Sequence, residues 1–177
     1  MINRHFYLLI IFIGFIFSSC STEKDQEEKV NIDERLLRKQ LENVQKPVIT
    51  MENDIINSYV KQHQLKLNTS GTGLRYAILK ENKKGNRIQT MDVVQLKFKI
   101  YLLDGTLCYS SDKDGKKSVK VDYDNIETGL HEGLKLMRKG EIALFILPSH
   151  LAHGVVGDNN KIPPKSPLRM EIEVLDL

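Results

Sequence analysis

The chain has 177 residues, with 26 basic and 23 acidic side chains and a formal charge of +3. That near balance argues against a nucleic-acid partner, which would need a concentrated basic face. Only two cysteines are present, Cys20 and Cys108, and the first has a use other than pairing.

Residues Phe6 to Phe17 form an apolar run broken only by Gly14, preceded by Arg4 and followed by Ser18-Ser19-Cys20. A membrane-spanning helix needs roughly 20 apolar residues, so this shorter run suits the hydrophobic region of a signal peptide. Ser18-Ser19-Cys20 resembles a bacterial lipobox, with Phe17 where leucine is more usual. Residues 1–19 are then a lipoprotein signal peptide, and Cys20 is the lipidated residue of the mature chain. Its acyl chains would hold the protein on a membrane by roughly 0.8 kcal/mol per buried methylene. The expected location is the cell envelope, in the periplasm or on the outer-membrane surface. Cys108 remains as a lone thiol, which excludes an internal disulfide despite export.

Residues 20–48 read as a polar tether, with Glu23, Lys24, Asp25, Glu27, Glu28 and Lys29 offering too little apolar surface to offset chain ordering. A frayed helix is predicted from Glu34 to Asn43, ending before Lys46-Pro47. Ile49 to Leu65 is a better helix, because Ile56, Tyr59, Val60 and His63 share one face. His63 is read as packed at that face or its rim. An N-terminal helical unit is thus expected over 49–68 and the main domain over 69–177, with Asn68 to Gly73 a loop.

Leu74 to Lys80 is a predicted strand, and Glu81 to Arg87 a charged turn. Val94, Leu96, Phe98 and Ile100 alternate with Gln95, Lys97 and Lys99, the period of a half-buried strand. Asp104-Gly105 predicts a type I′ hairpin turn before a return strand from Leu107 to Ser110. The Lys113 to Lys117 cluster reads as a solvated loop, followed by alternation at Val119, Val121 and Tyr123. Ile126, Leu130, Leu134 and Met137 mark one helix face, closed by Gly140. Ile142 to Leu147 is wholly apolar and should be a central strand covered on both faces. Leu168, Met170, Ile172 and Val174 alternate in the last strand. The sum is an α+β fold, a predominantly antiparallel sheet with one short helix against it.

Several phrases resemble those of the FKBP-type peptidyl-prolyl cis-trans isomerases over about Gly73 to Leu177. They are Gly73-Leu74-Arg75-Tyr76, Asp104-Gly105-Thr106 with Ser110-Ser111, the block from Gly129 to Glu141, Pro148, Gly154, and Ile162-Pro163-Pro164 through Leu168 and Glu173. With the lipobox and Leu147-Pro148-Ser149-His150, the chain is most similar to the gliding-motility-associated FKBP-like lipoproteins. The resemblance implies a twisted sheet wrapped on a short helix, with a proline pocket between them, acting on proline-containing polypeptides. No cofactor, metal or nucleophile is implied.

Position by position, the resemblance places Val119, Ile126 and Ile162 among the apolar walls and the backbone N–H of Glu127 on the substrate carbonyl. Phe98 stands for a tyrosine, Cys108 for a phenylalanine, Tyr109 for an aspartate, Leu130 for the tryptophan floor, Met170 for a wall phenylalanine and His153 for a tyrosine. The cup stays apolar but loses aromatic walls and its carboxylate, which implies a reduced isomerase rate. The alternative is a catalytically weak binding module of an envelope or gliding machine. A Cys108 thiol nucleophile with His150 or His153 is disfavoured because Cys108 falls at a packing position. A metal on the same histidines is disfavoured because no third ligand lies nearby in sequence.

Overall fold

The computed structural model describes residues 50–176 together with Leu36. The expected signal peptide, Cys20, the expected tether and, apart from the helical Leu36, the helix expected from Glu34 to Asn43 lie outside the described residues. Leu41–Leu177 form one compact unit, built on a single hydrophobic core.

Helix α1 covers residues 50–62. The strands are β1 (Asn68–Thr69), β2 (Arg75–Lys80), β3 (Val93–Leu102), β4 (Leu107–Ser110), β5 (Lys117–Lys120), β6 (Ile142–Leu147) and β7 (Leu168–Asp176). Helix α2 (Ser111–Asp114) lies between β4 and β5, α3 (Thr128–Lys135) precedes β6, and a 3-10 turn (Ser149–Leu151) follows it. All pairings are antiparallel, in the order β1-β2-β6-β7-β3-β4, with β5 also on β3.

The sheet follows its apolar periodicity. Val94, Leu96 and Ile100 are buried on β3, whereas Val93, Gln95 and Lys97 are exposed. β6 lies between β2 and β7 and is buried from Ala143 onward, as its continuous apolar run predicts. Helix α3 lies against this strand through glycines. A Cβ on Gly133 would stand 2.7 Å from the Phe145 ring, and one on Gly129 would stand 2.7 Å from Leu147. The missing side chains let the helix backbone approach the sheet, while Leu130 and Leu134 fill the core beside them.

Helix α1 is fixed at two points. Ile56 is fully buried, and the Glu52 carboxylate accepts bonds from the Ser149 N–H and, at 2.9 Å, its Oγ. Arg75, at the start of β2, donates to Asn53 (3.0 Å), Asn57 (3.2 Å) and the Gly73 carbonyl (2.7 Å). His63 lies beyond the helix and is exposed, its ring 4.2 Å from that of Tyr59.

Several local expectations are corrected. Asn68 and Thr69 pair with β2 instead of lying wholly in a loop. The hairpin after β3 has a three-residue loop in which Gly105 has φ +93° and Asp104 is not in the positive region, so it is no type I′ turn. The lysine-rich loop begins with α2, whose Asp114 carboxylate accepts the Ser110 N–H (3.0 Å). β5 is assigned to Lys120, and Val121 still bonds Asp92 (2.9 Å) and Met91 (3.0 Å); the chain turns away at Asp122 (φ +59°), which leaves Tyr123 exposed. Ile126 precedes α3, whose N-cap is Glu127. Gly140 does not close the helix; its N–H bonds the Val174 carbonyl (2.9 Å).

Replacing Gly133 with valine forces the side chain into the buried Phe145 ring and should lower the unfolding free energy by about 1–3 kcal/mol. Denaturant unfolding of Leu41–Leu177 checks this, and an unchanged midpoint would show that the helix and sheet are not held at this distance.

Candidate functional site

Strand β3 has an interrupted edge. Lys99 pairs with Ser110 of β4, Leu96 pairs with Lys117 of β5, and α2 occupies the interval between those partners. The Phe98 N–H facing this gap donates to Ser111 Oγ (3.2 Å). Beside the gap and the N-terminal end of α3 lies a cavity of about 370 Å³. Leu96, Phe98 and Ile100 of β3, Ile172 of β7 and Leu130 of α3 supply its apolar lining. Its polar lining comes from Tyr109, Asp114, Lys117, Glu127, His153, Asp158 and Asn160.

Two polar pairs shape that lining. His153 Nε2 lies 3.1 Å from Glu127 Oε1, joining the loop after the 3-10 turn to the N-cap of α3. The Tyr109 hydroxyl donates to Asp158 Oδ2. Asp158 Oδ1 accepts the N–H groups of Ile162 (2.8 Å) and Asn160 (2.9 Å), while Asn160 Nδ2 donates to the Tyr109 oxygen (3.2 Å). Burial alone would raise the Asp158 pKa, but these donors hold it below the usual carboxylate range. The bond to Asp158 raises the Tyr109 pKa, so the phenol stays protonated and remains the donor.

The backbone N–H of Glu127 has no intramolecular partner among the described residues, although its carbonyl accepts from Leu130 (2.9 Å) and His131 (3.2 Å). The cavity therefore offers an apolar floor, a free amide donor at the start of a helix and two tethered carboxylates. That combination suits an uncharged ring next to a carbonyl.

Five of the ten sequence-derived site residues line this cavity: Phe98, Tyr109, Glu127, Leu130 and His153. The other five do not. Cys108, Val119, Ile162 and Met170 are buried in the core, and Ile126 packs half-buried against it. Met170 is fully covered because it sits in register between Ile100 and Phe145. Cys108 lies at 3.7 Å from the Lys161 carbonyl, and burial pushes its thiol pKa up, which does not suit a nucleophile. Nor is the carboxylate lost with the aspartate expected at position 109. Asp158 returns one from a loop 49 residues away, a distance at which no sequence spacing signals the pairing.

His150 bonds the Thr72 carbonyl (3.2 Å) and His153 bonds Glu127. Among the described residues no cluster of three metal-ligating side chains occurs. On the opposite face of the sheet, Lys97 and Glu173 (3.9 Å) and Lys99 and Asp112 (3.6 Å) pair across a smaller hollow of about 260 Å³. These half-exposed pairs form an ordinary solvated face, worth little energetically.

The family model for FKBP-type peptidyl-prolyl cis-trans isomerase matches residues 84–175, and the chain belongs to that family. Over 109 residues it is 34% identical to a probable FKBP-type peptidyl-prolyl cis-trans isomerase of Haemophilus influenzae, covering 62% of this chain and 44% of that protein. It is 35% identical over 109 residues to the FKBP-type peptidyl-prolyl cis-trans isomerase FkpA of Escherichia coli, covering 62% and 39% respectively. The crystal structure of that FkpA superposes with a TM-score of 0.63 at 28% identity, covering 96% of this chain and 80% of that one. The chain spans less than half the length of these two curated relatives.

The folded Asp158 pKa lies below its unfolded value, so the carboxylate stabilises the fold above the ordinary aspartate range, near pH 4. That contribution is lost as pH falls through the lowered folded value. Asp158→Asn should therefore be less stable than the parent at pH 6 and approach it at pH 3. Thermal unfolding across that range measures the difference, and parallel curves would refute the clamp.

Proposed function

We propose that the chain is a lipid-anchored peptidyl-prolyl cis-trans isomerase of the cell envelope, related to the gliding-motility-associated FKBP-like lipoproteins and acting on exported proteins. The cavity between β3, β7 and α3 carries this reading. Rotating an Xaa-Pro bond has a barrier of roughly 18–20 kcal/mol because amide resonance is lost midway. An apolar floor of Leu96, Phe98, Ile100, Leu130 and Ile172 favours the twisted amide, whose charge separation has fallen, over the planar dipolar one. The unpartnered Glu127 N–H orients the neighbouring carbonyl and needs no reorganisation to do so. Residue 130 is leucine, where an aromatic side chain would add about 0.5–1.5 kcal/mol, and His153 is held by Glu127. Both features support a slow enzyme.

Leu41–Leu177 should accelerate isomerisation of an Xaa-Pro peptide and refolding of a proline-limited protein at catalytic ratios, at a modest rate. Phe98→Ala and Leu130→Asn should each reduce kcat/KM about tenfold, equivalent to roughly 1.4 kcal/mol of transition-state stabilisation. Peptide binding without acceleration of either reaction would favour the binding-module reading, for which the His153–Glu127 pair is the supporting observation.

Ser18-Ser19-Cys20 supports the anchor. Expressed in a bacterium with lipoprotein processing, the mature chain should begin at Cys20 with the mass of an acylated cysteine and partition into membranes. Cys20→Ala should remain unacylated. A mature chain beginning elsewhere would remove the anchor from this reading.

A further inference from the structure

At the far end of the β2–β6 pair from the Glu52–Ser149 contact, two connecting segments meet. One follows β2 and the other follows α3, and an antiparallel bridge joins Arg87 to Arg138. The buried Glu141 carboxylate accepts the N–H groups of Arg138 (2.8 Å) and Asn82 (3.1 Å), linking both segments at once. Asn82 Nδ2 donates to the Lys139 carbonyl (2.8 Å), and a Cβ on Gly85 would stand 2.2 Å from that same oxygen. The two segments are thus fastened at a distance that only glycine permits.

They enclose a concavity of about 550 Å³ whose lining includes Lys83, Lys84, Arg87 and Arg138 against one carboxylate, Asp92. Asp92 already accepts the Gln89 N–H (2.8 Å). Arg138 is oriented by a bond to the Gly85 carbonyl (3.1 Å). Lys84 and Arg87 are exposed and make no side-chain hydrogen bond or ion pair among the described residues. The residues on either side of Asp92, Met91 and Val93, are apolar and about half exposed.

We propose that this concavity binds the phosphate of lipid headgroups at an anionic membrane surface. Arg87 and Arg138 suit phosphate oxygens because a guanidinium presents paired donors. Basic residues beside exposed apolar ones fit the interface between headgroups and acyl chains. Each cation near such a surface contributes about fivefold in binding, so the patch alone is weak. On a chain held at the bilayer by acyl groups, a weak contact becomes intramolecular and orients the domain. The isomerase reading is not needed for this inference, and the lipid anchor enters only as the reason a bilayer lies within reach.

The test uses Leu41–Leu177, which lacks Cys20, and sedimentation with vesicles at low salt. Binding should occur to phosphatidylcholine vesicles containing phosphatidylglycerol and not to phosphatidylcholine alone. Lys84→Ala with Arg87→Ala should weaken it about thirtyfold, while Lys113→Ala with Lys116→Ala, an equal change in charge in α2 and the turn after it, should have little effect. Thermal unfolding of both variants controls for folding. Equal losses from the two variants would mean diffuse charge and overturn the site, as would absence of binding to the anionic vesicles. Saturable binding of glycerol 1-phosphate at Arg87 and Arg138 without vesicle binding would assign the site to a soluble phosphate ester and overturn the membrane proposal.

Discussion

Helix α3 lies so close to β6 that Gly129 and Gly133 have no room for side chains. Glycine in a helix interior costs about 1 kcal/mol relative to alanine, and two of them in an eight-residue helix leave little intrinsic helical preference. Packing overrides that deficit: Leu130, Leu134 and the fully buried Met137 reach the core only because the backbone is near. The approach also fixes the cavity, because the N-cap residue Glu127 is brought beside β3 and β7 instead of standing off from the sheet. The free Glu127 amide is therefore a product of packing as much as of the helix end.

The same constraint sets what the rim can do. The helix terminus brings Glu127 to His153, and across the opening Tyr109 of β4 reaches Asp158, so each side is tied by a pair drawn from two different segments. The Asp158 loop is tightened further by the Ile162 and Asn160 N–H groups. At the other end of the 3-10 turn, Ser149 is held by Glu52 of α1. Segment 149–162 is thereby tied to α1 through Ser149, to the start of α3 through His153 and to β4 through Asp158. The opening thus combines an apolar floor with a rim whose polar groups are already paired.

Much of this was legible in the amino-acid sequence. Strict alternation marked β3 and β7, and the uninterrupted apolar run marked β6 as central, because each pattern reports which faces meet the core. The errors arose where short-range chemistry competes with periodicity. The β5 alternation holds through the buried Val121 but fails at Tyr123, because Asp122 takes φ +59° and turns the chain away. Ile126 keeps helical spacing but sits before the cap. In the site, Phe98 and Leu130 were readable as lining, whereas Met170 and Val119 were placed in the cavity although they fill the core beneath it. Asp158 was invisible, because its role depends on two loops meeting, and the Arg87–Arg138 bridge was hidden for the same reason.

The divided border of β3 has a consequence for what the sheet can pair with. One margin of the sheet ends in a strand of two residues, and the other is shared by two strands of four separated by α2. Among the described residues neither offers a long row of vacant amides and carbonyls on which an extended segment could add itself as another strand. An edge this broken also gives a second copy of the chain little to pair with, which guards the sheet against edge-to-edge aggregation.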